Sequence, residues 1–223
     1  MGDINQLIFI KNNIDKIKGP ILEVGSKNYG NTQNLRPLFK NTEYIGVDMR
    51  DGEGVDIVVD LMEKFEHIEE KLENRRFHTI VCFSVLEHCL NPFKMCSNIE
   101  RLLEKNGLLF ISVPFAWRIH GYPNDYWRFT PEGIKLLFPH LKFDLSEGCL
   151  ATSKTGVTYS IDDYMLRVEL EIPRVIKRKV YRKFNLFLIW ILKKLPIINW
   201  IYDNPYLFPP VTINMIGRKG SNL

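Results

Sequence analysis

The stretch Pro20-Ile-Leu-Glu-Val-Gly-Ser-Lys-Asn-Tyr-Gly30 determines how the rest of this chain is organised. A short apolar run contains an acid at Glu23 and opens at Gly25 into a small polar loop. Helical periodicity resumes soon afterwards, with apolar residues at positions 35, 38 and 39 on one face. Strand, tight loop and helix in this order form the opening unit of a doubly wound α/β sheet, in which ligands bind beside the end of the first strand.

The glycine pattern of this loop indicates the class of ligand. Dinucleotide-binding loops need G-x-G-x-x-G so that backbone N–H groups can approach a pyrophosphate, and here Lys27 replaces the middle glycine. Glu23 would also place a carboxylate beside that dianion, which is electrostatically unfavourable. A cationic ligand without phosphate fits better, and S-adenosylmethionine is such a ligand. The alternative is that Glu23 and the later acid Asp48 are solvated strand ends beside a packing glycine.

Two further apolar runs end in acids. The run from 44 to 48 ends in Asp48, which would accept hydrogen bonds from both ribose hydroxyls, whereas Glu23 would face the cationic amino-acid end. The run from 56 to 60 ends in Asp60, which in this architecture lies near the adenine ring. The predicted cofactor site is built from these strand ends and their neighbours: Glu23, Gly25, Ser26, Asp48, Met49, Asp60, Leu61, Ser84 and Val85.

The remaining core elements follow in order. A helix is predicted over residues 4–17, and the continuous apolar run from 77 to 84 is typical of a buried parallel strand. An amphipathic helix follows from Pro92 to about Lys105, where Asn106-Gly107 would end it. Strands are predicted at 108–113, 142–150 and 211–219.

The motifs Ile-Leu-Glu-Val-Gly, Tyr-Ile-Gly-Val-Asp, Asp60, Ser-Val-Leu-Glu-His and Gly-Leu-Leu-Phe-Ile-Ser-Val-Pro occur in this order. Together they resemble class I S-adenosylmethionine-dependent methyltransferases over residues 20–150. The resemblance implies a Rossmann-like, seven-stranded, mostly parallel sheet with helices on both faces. It also implies cofactor roles for Glu23, Gly25, Asp48 and Asp60, and an adenosyl pocket lined near Ser84 and Val85. Lys27, where the family usually has glycine, departs from the pattern.

The segment from His120 to Thr130 follows the fifth strand, where an acceptor should enter. It resembles a segment of methyltransferases from surface-polysaccharide and natural-product pathways. Aromatic faces suit the C–H surface of a sugar, and polar groups fix its hydroxyls. The predicted substrate-binding residues are His120, Tyr126, Trp127 and Arg128. The alternative, which does not exclude the first, is a structural lid in which Asp125 pairs with Arg128.

Attack by a hydroxyl on a sulfonium methyl requires removal of the hydroxyl proton. The predicted catalytic residues are His120, Asp125 and His88, with His120 preferred because it lies in the acceptor loop and because histidine as a residue type suits proton transfer at neutral pH. No histidine–acid spacing resembles a metal site, so no metal is expected.

Composition indicates the class of protein and its cellular compartment. Hydrophobic residues make up 45% and charged residues 25% of the 223, which is ordinary for a globular protein. The four cysteines show no paired spacing, and the first residues show no signal peptide. These features predict a cytoplasmic protein with reduced thiols.

The chain divides into a cofactor-binding core over 1–150, a helical insertion over 151–208, and the last core strand over 209–223. Residues 174–201 combine eight basic residues, no acid, and an apolar run too short to span a bilayer. They fit either peripheral contact with the inner membrane face or a cap or dimer interface. Nucleic acid is not favoured as a partner, because stacking residues are not interleaved with the basic run. The oligomeric state is not indicated.

The sequence therefore predicts a methyltransferase acting on a hydroxyl of a sugar or other small, lipid-linked or free acceptor, including a glycan or glycolipid. The alternative is a non-catalytic protein of the same fold that binds a partner through its insertion. An oxidoreductase is opposed by Glu23 and the missing glycine.

Overall fold

The computed structural model describes residues 3–30, 33–121, 124–152, 155–161 and 210–221. In these residues nine strands form one sheet flanked by four α-helices. The strands are β1 (Ile21–Val24), β2 (Tyr44–Asp48), β3 (Ile57–Val58), β4 (Phe77–Phe83), β5 (Leu103–Pro114), β6 (Leu141–Phe143), β7 (Cys149–Ala151), β8 (Thr158–Tyr159) and β9 (Thr212–Lys219). The helices are α1 (Ile4–Asn12), α2 (Phe65–Lys71), α3 (Pro92–Leu102) and α4 (Pro131–Leu137).

The sheet order is β3-β2-β1-β4-β5-β9-β7-β8, with β6 pairing with β9. The first five strands in this order are parallel, and β9 joins β5 antiparallel. Because β2 and β4 lie on opposite sides of β1, the connections reverse direction there. This reversal opens a crevice at the carboxyl ends of the strands, where ligands bind in doubly wound sheets. The predicted fold class is confirmed.

Two apolar layers cover the sheet, because the parallel strands are buried on both faces. One layer packs Phe65 of α2, Ile99 of α3 and Ile134 of α4 against strand residues such as Ile80. The other places Phe9 of α1 edge-on to Phe110 of β5, with ring centroids 6.0 Å apart. The sheet therefore forms a rigid platform whose strand ends hold the polar residues.

Three predicted helices differ from the structure. The helix predicted over 4–17 is divided, because α1 ends at Asn12 and a 3₁₀ turn follows at Ile14–Lys16. The residues after the glycine loop form only a 3₁₀ turn, Arg36–Phe39, in which Pro37 cannot donate a backbone hydrogen bond. Helix α3 ends at Leu102, because Leu103 is already extended and pairs with Phe77 of β4. Asn106-Gly107 therefore lies within β5, where Asn106 has a φ of 61° and the strand pairing shifts register nearby.

The strand predicted over 142–150 is divided into β6 and β7 by a 3₁₀ turn at Leu145–Glu147. This division and the short strand β8 raise the strand count above the predicted seven. The predicted start of α4 is confirmed, since Thr130 Oγ1 accepts a hydrogen bond from the amide of Gly133 at 3.1 Å, with Pro131 at the first helical position.

Most of the insertion, including 174–201, lies outside the described residues. Within the described ranges no helix is both long enough and apolar enough to cross a bilayer. All four cysteines are free thiols.

Candidate active site

A cavity of about 250 Å³ lies at the carboxyl ends of β1, β2 and β4. Seven of the nine predicted cofactor residues line it: Gly25, Asp48, Met49, Asp60, Leu61, Ser84 and Val85. His88 and His120 line it as well. Apolar side chains such as Val47 and Val59 form much of the remaining wall. The cavity therefore combines an apolar body with a few polar groups, as small-molecule sites do.

The loop after β1 can approach β4 closely only because residue 25 is glycine. Gly25 has a φ of 73°, and a Cβ added there would lie 2.4 Å from Cγ2 of Val85. Ser84, at the end of β4, also has a positive φ of 52°, which is uncommon for a residue with a side chain. Such backbone strain concentrates at functional sites.

Two carboxylates lie at the ends of β2 and β3. Asp48 accepts hydrogen bonds from the backbone amides of Arg50 at 3.0 Å and Lys27 at 3.4 Å. Asp60 accepts one from the amide of Met62 at 2.8 Å. These backbone bonds fix both carboxylates at the cavity wall, and each carboxylate keeps further lone pairs for a ligand.

Glu23 and Ser26, the other two predicted cofactor residues, line a second cavity of about 40 Å³. Glu23 accepts a hydrogen bond from the Tyr44 hydroxyl at 2.6 Å, and burial raises the pKa of its carboxyl. Among the described residues, Glu23 Oε1 and Ser26 Oγ have no hydrogen-bond partner. The structure therefore places these two residues beside the glycine loop but outside the larger cavity.

The rings of His88 and His120 pack edge to face, with centroids 4.9 Å apart and an interplanar angle of 84°. His88 Nδ1 lies 2.6 Å from the carbonyl oxygen of Asn124. His120 Nδ1 lies 3.3 Å from the carbonyl oxygen of Arg118 and 3.1 Å from Oδ2 of Asp125. Because a carbonyl and a carboxylate oxygen only accept hydrogen bonds, both Nδ1 atoms carry hydrogen. In the neutral imidazoles, both Nε2 atoms therefore carry the free lone pair.

Burial controls the charges around this pair. It lowers the pKa of His88, which favours the neutral imidazole. It raises the pKa of the neighbouring Glu87, whose side chain is 1% exposed, to about 8. Asp125 behaves in the opposite way, because hydrogen bonds from Arg128 lower the pKa of its carboxyl.

Asp125 and Arg128 form a bidentate ion pair, with oxygen–nitrogen distances of 2.5 and 2.7 Å. Arg128 also donates to the carbonyl oxygens of Trp117, Arg118 and Trp127. The four terminal N–H groups of Arg128 are thus engaged within the loop. The alternative of an internal Asp125–Arg128 pair is confirmed, and acceptor binding by Arg128 stays a prediction.

Tyr126 and Trp127 do not line the cavity but are anchored beside it. The amide of Tyr126 donates to the carbonyl oxygen of Glu87 at 2.7 Å, and Trp127 Nε1 donates to the carbonyl oxygen of Cys89 at 2.7 Å. Both side chains are about two-fifths exposed, at 43% and 40%. The loop therefore presents two aromatic side chains next to the cavity.

Sequence reasoning missed Glu87. The structure brings one ligand atom from each of Glu87, His88 and His120 within 4.8 Å of one another. The sequence did contain a signal for Glu87, because it is an acid directly before a histidine at the end of a strand. The third member was not visible, because His120 is separated from the pair by α3 and β5.

The sequence profile of a family described as a methyltransferase domain matches residues 7–141, which is more than half of the chain. No curated protein is similar enough in sequence to count as a relative.

Solved structures share the fold at low sequence identity. A SAM-dependent methyltransferase from Archaeoglobus fulgidus is 17% identical, with a TM-score of 0.52 over 96% of this chain and 94% of that one. The YcgJ protein from Bacillus subtilis is 13% identical, with a TM-score of 0.52 over 97% and 98%. A 1,6-didemethyltoxoflavin-N1-methyltransferase from Burkholderia thailandensis, with bound 1,6-didemethyltoxoflavin and S-adenosylhomocysteine, is 11% identical, with a TM-score of 0.50 over 97% and 76%.

The order of the sheet, the glycine loop and the acids at the strand ends agree with the profile match. The chain therefore belongs to the methyltransferase domain family and is a class I methyltransferase that depends on S-adenosylmethionine.

Proposed function

We propose that this enzyme methylates a hydroxyl group of a small acceptor, with a sugar or lipid-linked sugar as the acceptor class. The observation that carries the proposal is the histidine pair at the cavity wall. The Nδ1 atoms of His88 and His120 carry hydrogen, so their Nε2 atoms hold the lone pairs. A hydroxyl needs such a group to lose its proton as it attacks, and imidazole is the side chain best suited at neutral pH.

The cavity residues fit S-adenosylmethionine. Gly25 leaves the space between the loop and Val85 that any side chain would fill. Asp48 is held by backbone amides with lone pairs to spare, and we assign it to the ribose hydroxyls. Asp60, held in the same way at the end of β3, is assigned to the adenine amine. The apolar side chains of Leu61 and Val85, in the same wall, suit the adenine faces.

The amino-acid end of the cofactor is assigned to the loop side of the site. We assign Met49, next to Asp48, to the ribose end and Ser84 to the adenosyl pocket. Glu23 and Ser26 lie beside the glycine loop, and a buried carboxylate there favours a cationic amino group. Their unpartnered oxygens support this assignment, since buried polar atoms normally have partners.

Bound S-adenosylmethionine supplies an electrophilic methyl on sulfur, and its transfer converts the acceptor hydroxyl to a methyl ether with release of S-adenosylhomocysteine and one proton. The chain contributes alignment and deprotonation. The histidine pair carries out the deprotonation, with His120 as the principal residue. Asp125 acts through His120, because its Oδ2 accepts a hydrogen bond from the His120 backbone amide at 3.0 Å and lies 3.1 Å from Nδ1 of the ring.

The acceptor class rests on the aromatic side chains beside the cavity. Tyr126 and Trp127 are 43% and 40% exposed. Aromatic faces bind the C–H surface of sugar rings, whereas a charged substrate would call for free cations. We therefore place the sugar against Tyr126 and Trp127, with its reactive hydroxyl towards His120.

The experiment measures transfer of a labelled methyl group to sugars, lipid-linked sugars and the matching amino sugars. We expect hydroxyl methylation, with His120→Ala lowering turnover by about 10²–10⁴ and leaving the affinity for S-adenosylhomocysteine nearly unchanged. His67→Ala, at an exposed histidine of α2, is the control and should retain full turnover. Methylation of amines alone would overturn the proposal. Turnover that survives in His120→Ala but not in His88→Ala would move the deprotonating role to His88.

A further inference from the structure

We propose that Glu87, His88 and His120 form a binding site for a divalent first-row transition metal ion beside the cofactor cavity. One ligand atom from each residue lies within 4.8 Å of the other two. No metal is expected from the sequence, because no histidine–acid spacing resembles a metal site. The fold brings His120 to the Glu87–His88 pair, from which it is distant in sequence.

The hydrogen bonds of the two imidazoles are those of metal ligands. A metal-bound histidine typically donates its other ring N–H to a carbonyl or a carboxylate. His88 donates from Nδ1 to the carbonyl oxygen of Asn124 at 2.6 Å. His120 donates from Nδ1 to the carbonyl oxygen of Arg118 at 3.3 Å, and Oδ2 of Asp125 lies 3.1 Å from the same nitrogen. Each outer partner fixes a ring and leaves its Nε2 lone pair available to a cation.

The third ligand is a buried carboxylate. Glu87 is 1% exposed, and its Oε2 has no hydrogen-bond partner among the described residues. Its Oε1 lies 3.9 Å from His88 Nε2, too far for a hydrogen bond. When Glu87 is ionised, its carboxylate and the lone pair of His88 Nε2 repel each other, and a cation between them removes that repulsion. A bound cation would interact favourably with both the Glu87 carboxylate and the His88 imidazole.

The loop geometry holds these ligands in place. The amide of Tyr126 donates to the carbonyl oxygen of Glu87 at 2.7 Å, which ties the loop to the 3₁₀ turn Leu86–His88. Arg128 donates hydrogen bonds from both terminal nitrogens to Asp125, and Asp125 in turn orients His120. The positions of the three ligands are therefore set by a connected network, as a metal site requires.

The ligand set selects the class of ion. Two imidazole nitrogens and one carboxylate match the His₂Glu set of catalytic zinc sites and the facial triad of non-haem iron sites. Both types keep open positions for substrate. Magnesium, which prefers oxygen ligands, should bind much more weakly.

The inference rests on the proposed function in one respect, the role of the ion. A cation on these Nε2 atoms would bind the acceptor hydroxyl oxygen and acidify it, so that the proton leaves to water. The histidine pair would then deprotonate the hydroxyl through the ion and not by direct proton transfer. The alkoxide oxygen would still form the C–O bond as the C–S bond breaks.

The test titrates the full-length, chelator-treated and dialysed protein with Co²⁺, followed by visible absorption and calorimetry. We expect one Co²⁺ per chain, displaced by Zn²⁺, and far weaker heat with Mg²⁺. Loss of a ligand should cost more than the 10–100-fold typical of an outer partner, so Glu87→Gln and His120→Ala should each weaken Co²⁺ binding by at least about 100-fold. His67→Ala should bind as wild type.

Absence of stoichiometric Co²⁺ binding, or equal affinity in wild type and His120→Ala, would overturn the inference. If Glu87→Gln does not fold, as judged by thermal melting, His120→Ala decides, because the His120 side chain is partly exposed. Methyl-transfer assays, run beside the Co²⁺ titration, separate the two proposals. Chelator-insensitive methyl transfer without Co²⁺ binding leaves the proposed function intact, whereas Co²⁺ binding without hydroxyl methylation retains the metal site alone.

Discussion

Glu23 is a carboxyl group held in the sheet at 4% exposure, with one hydrogen bond, from Tyr44, and one oxygen without a partner in the described residues. Burial raises the pKa of Glu23 in the folded protein above its ordinary value. The folded chain therefore binds this proton more tightly than the unfolded chain does. The resulting stability is present at low pH and is lost as the pH rises through the folded pKa. At higher pH a buried, poorly compensated charge remains and lowers the stability, a cost that we propose is retained for ligand binding.

The Glu23→Gln variant tests this trade-off. Glutamine can still accept the Tyr44 hydrogen bond but carries no charge, so we expect the variant to melt about 2–4 °C higher at pH 8 for each kcal/mol recovered. The gain should shrink towards pH 4, where the wild-type carboxyl is protonated. Thermal melting across pH measures it, with Glu66→Gln at an exposed position of α2 as the control. A lower melting temperature at pH 8, or a gain independent of pH, would contradict the account.

At the scale of elements, the acceptor loop (residues 115–130, described except 122 and 123) is held by several internal hydrogen bonds. Arg128 connects Asp125 with the carbonyl oxygens of Trp117 and Arg118. The planar guanidinium forms several of these bonds at once, and a lysine cannot reproduce that geometry.

We therefore expect Arg128→Lys to lower kcat/KM for the acceptor by about tenfold or more, since a misplaced loop disrupts alignment. Its affinity for S-adenosylhomocysteine should change little, because Arg128 does not line the cavity. Lys135→Arg on α4, a conservative change at a surface ion pair, is the control. Steady-state kinetics and calorimetry separate the two effects, and a variant that lost both equally would point to global destabilisation.

The parallel strands could be predicted from the sequence because each is an apolar run bounded by a turn or an acid. The acids of β2 and β3 could be placed at the site for the same reason, since parallel strands end at one edge. The 3₁₀ turn Arg36–Phe39 could not, because apolar periodicity does not report how tightly a short segment is wound. The early end of α3 at Leu102 depends on the pairing of Leu103 with Phe77, which is a tertiary contact.

The acceptor side was less predictable for a related reason. The loop residues were recognised as a group, but the internal use of Arg128 and the approach of His120 to Glu87 depend on how the loop folds back over β4. The spacing of residues in the sequence carries no information about how the loop folds back over β4.

At the scale of the whole molecule, basic residues are concentrated in one segment of the chain, and this points to contact with an anionic surface. Residues 174–201 carry eight basic residues together with Trp190 and Trp200, and lie outside the described part of the structure. We propose that they bind the anionic inner face of a membrane, which would bring the site near a lipid-linked acceptor. Each basic residue contributes about 1 kcal/mol near such a surface, less at high salt.

We expect sedimentation with anionic vesicles at low salt, reduced by added salt and by replacing five basic residues with glutamine: Lys177, Arg178, Lys179, Arg182 and Lys183. Neutral vesicles are the control. Protein found wholly in the supernatant at low salt would favour the alternative, in which this segment is a protein-buried cap or a dimer interface.

The central claim is that the cavity at the ends of β1, β2 and β4 binds S-adenosylmethionine. The most direct measurement is calorimetry with S-adenosylhomocysteine, on wild type and on Asp48→Ala, with Asp51→Ala at an exposed position as the control. A lost hydrogen bond to a charged group costs about 1.5–3 kcal/mol, so we expect affinity of about micromolar or tighter in wild type and at least about tenfold weaker binding in Asp48→Ala. Unchanged affinity in Asp48→Ala, or binding of NAD in place of S-adenosylhomocysteine, would contradict the account.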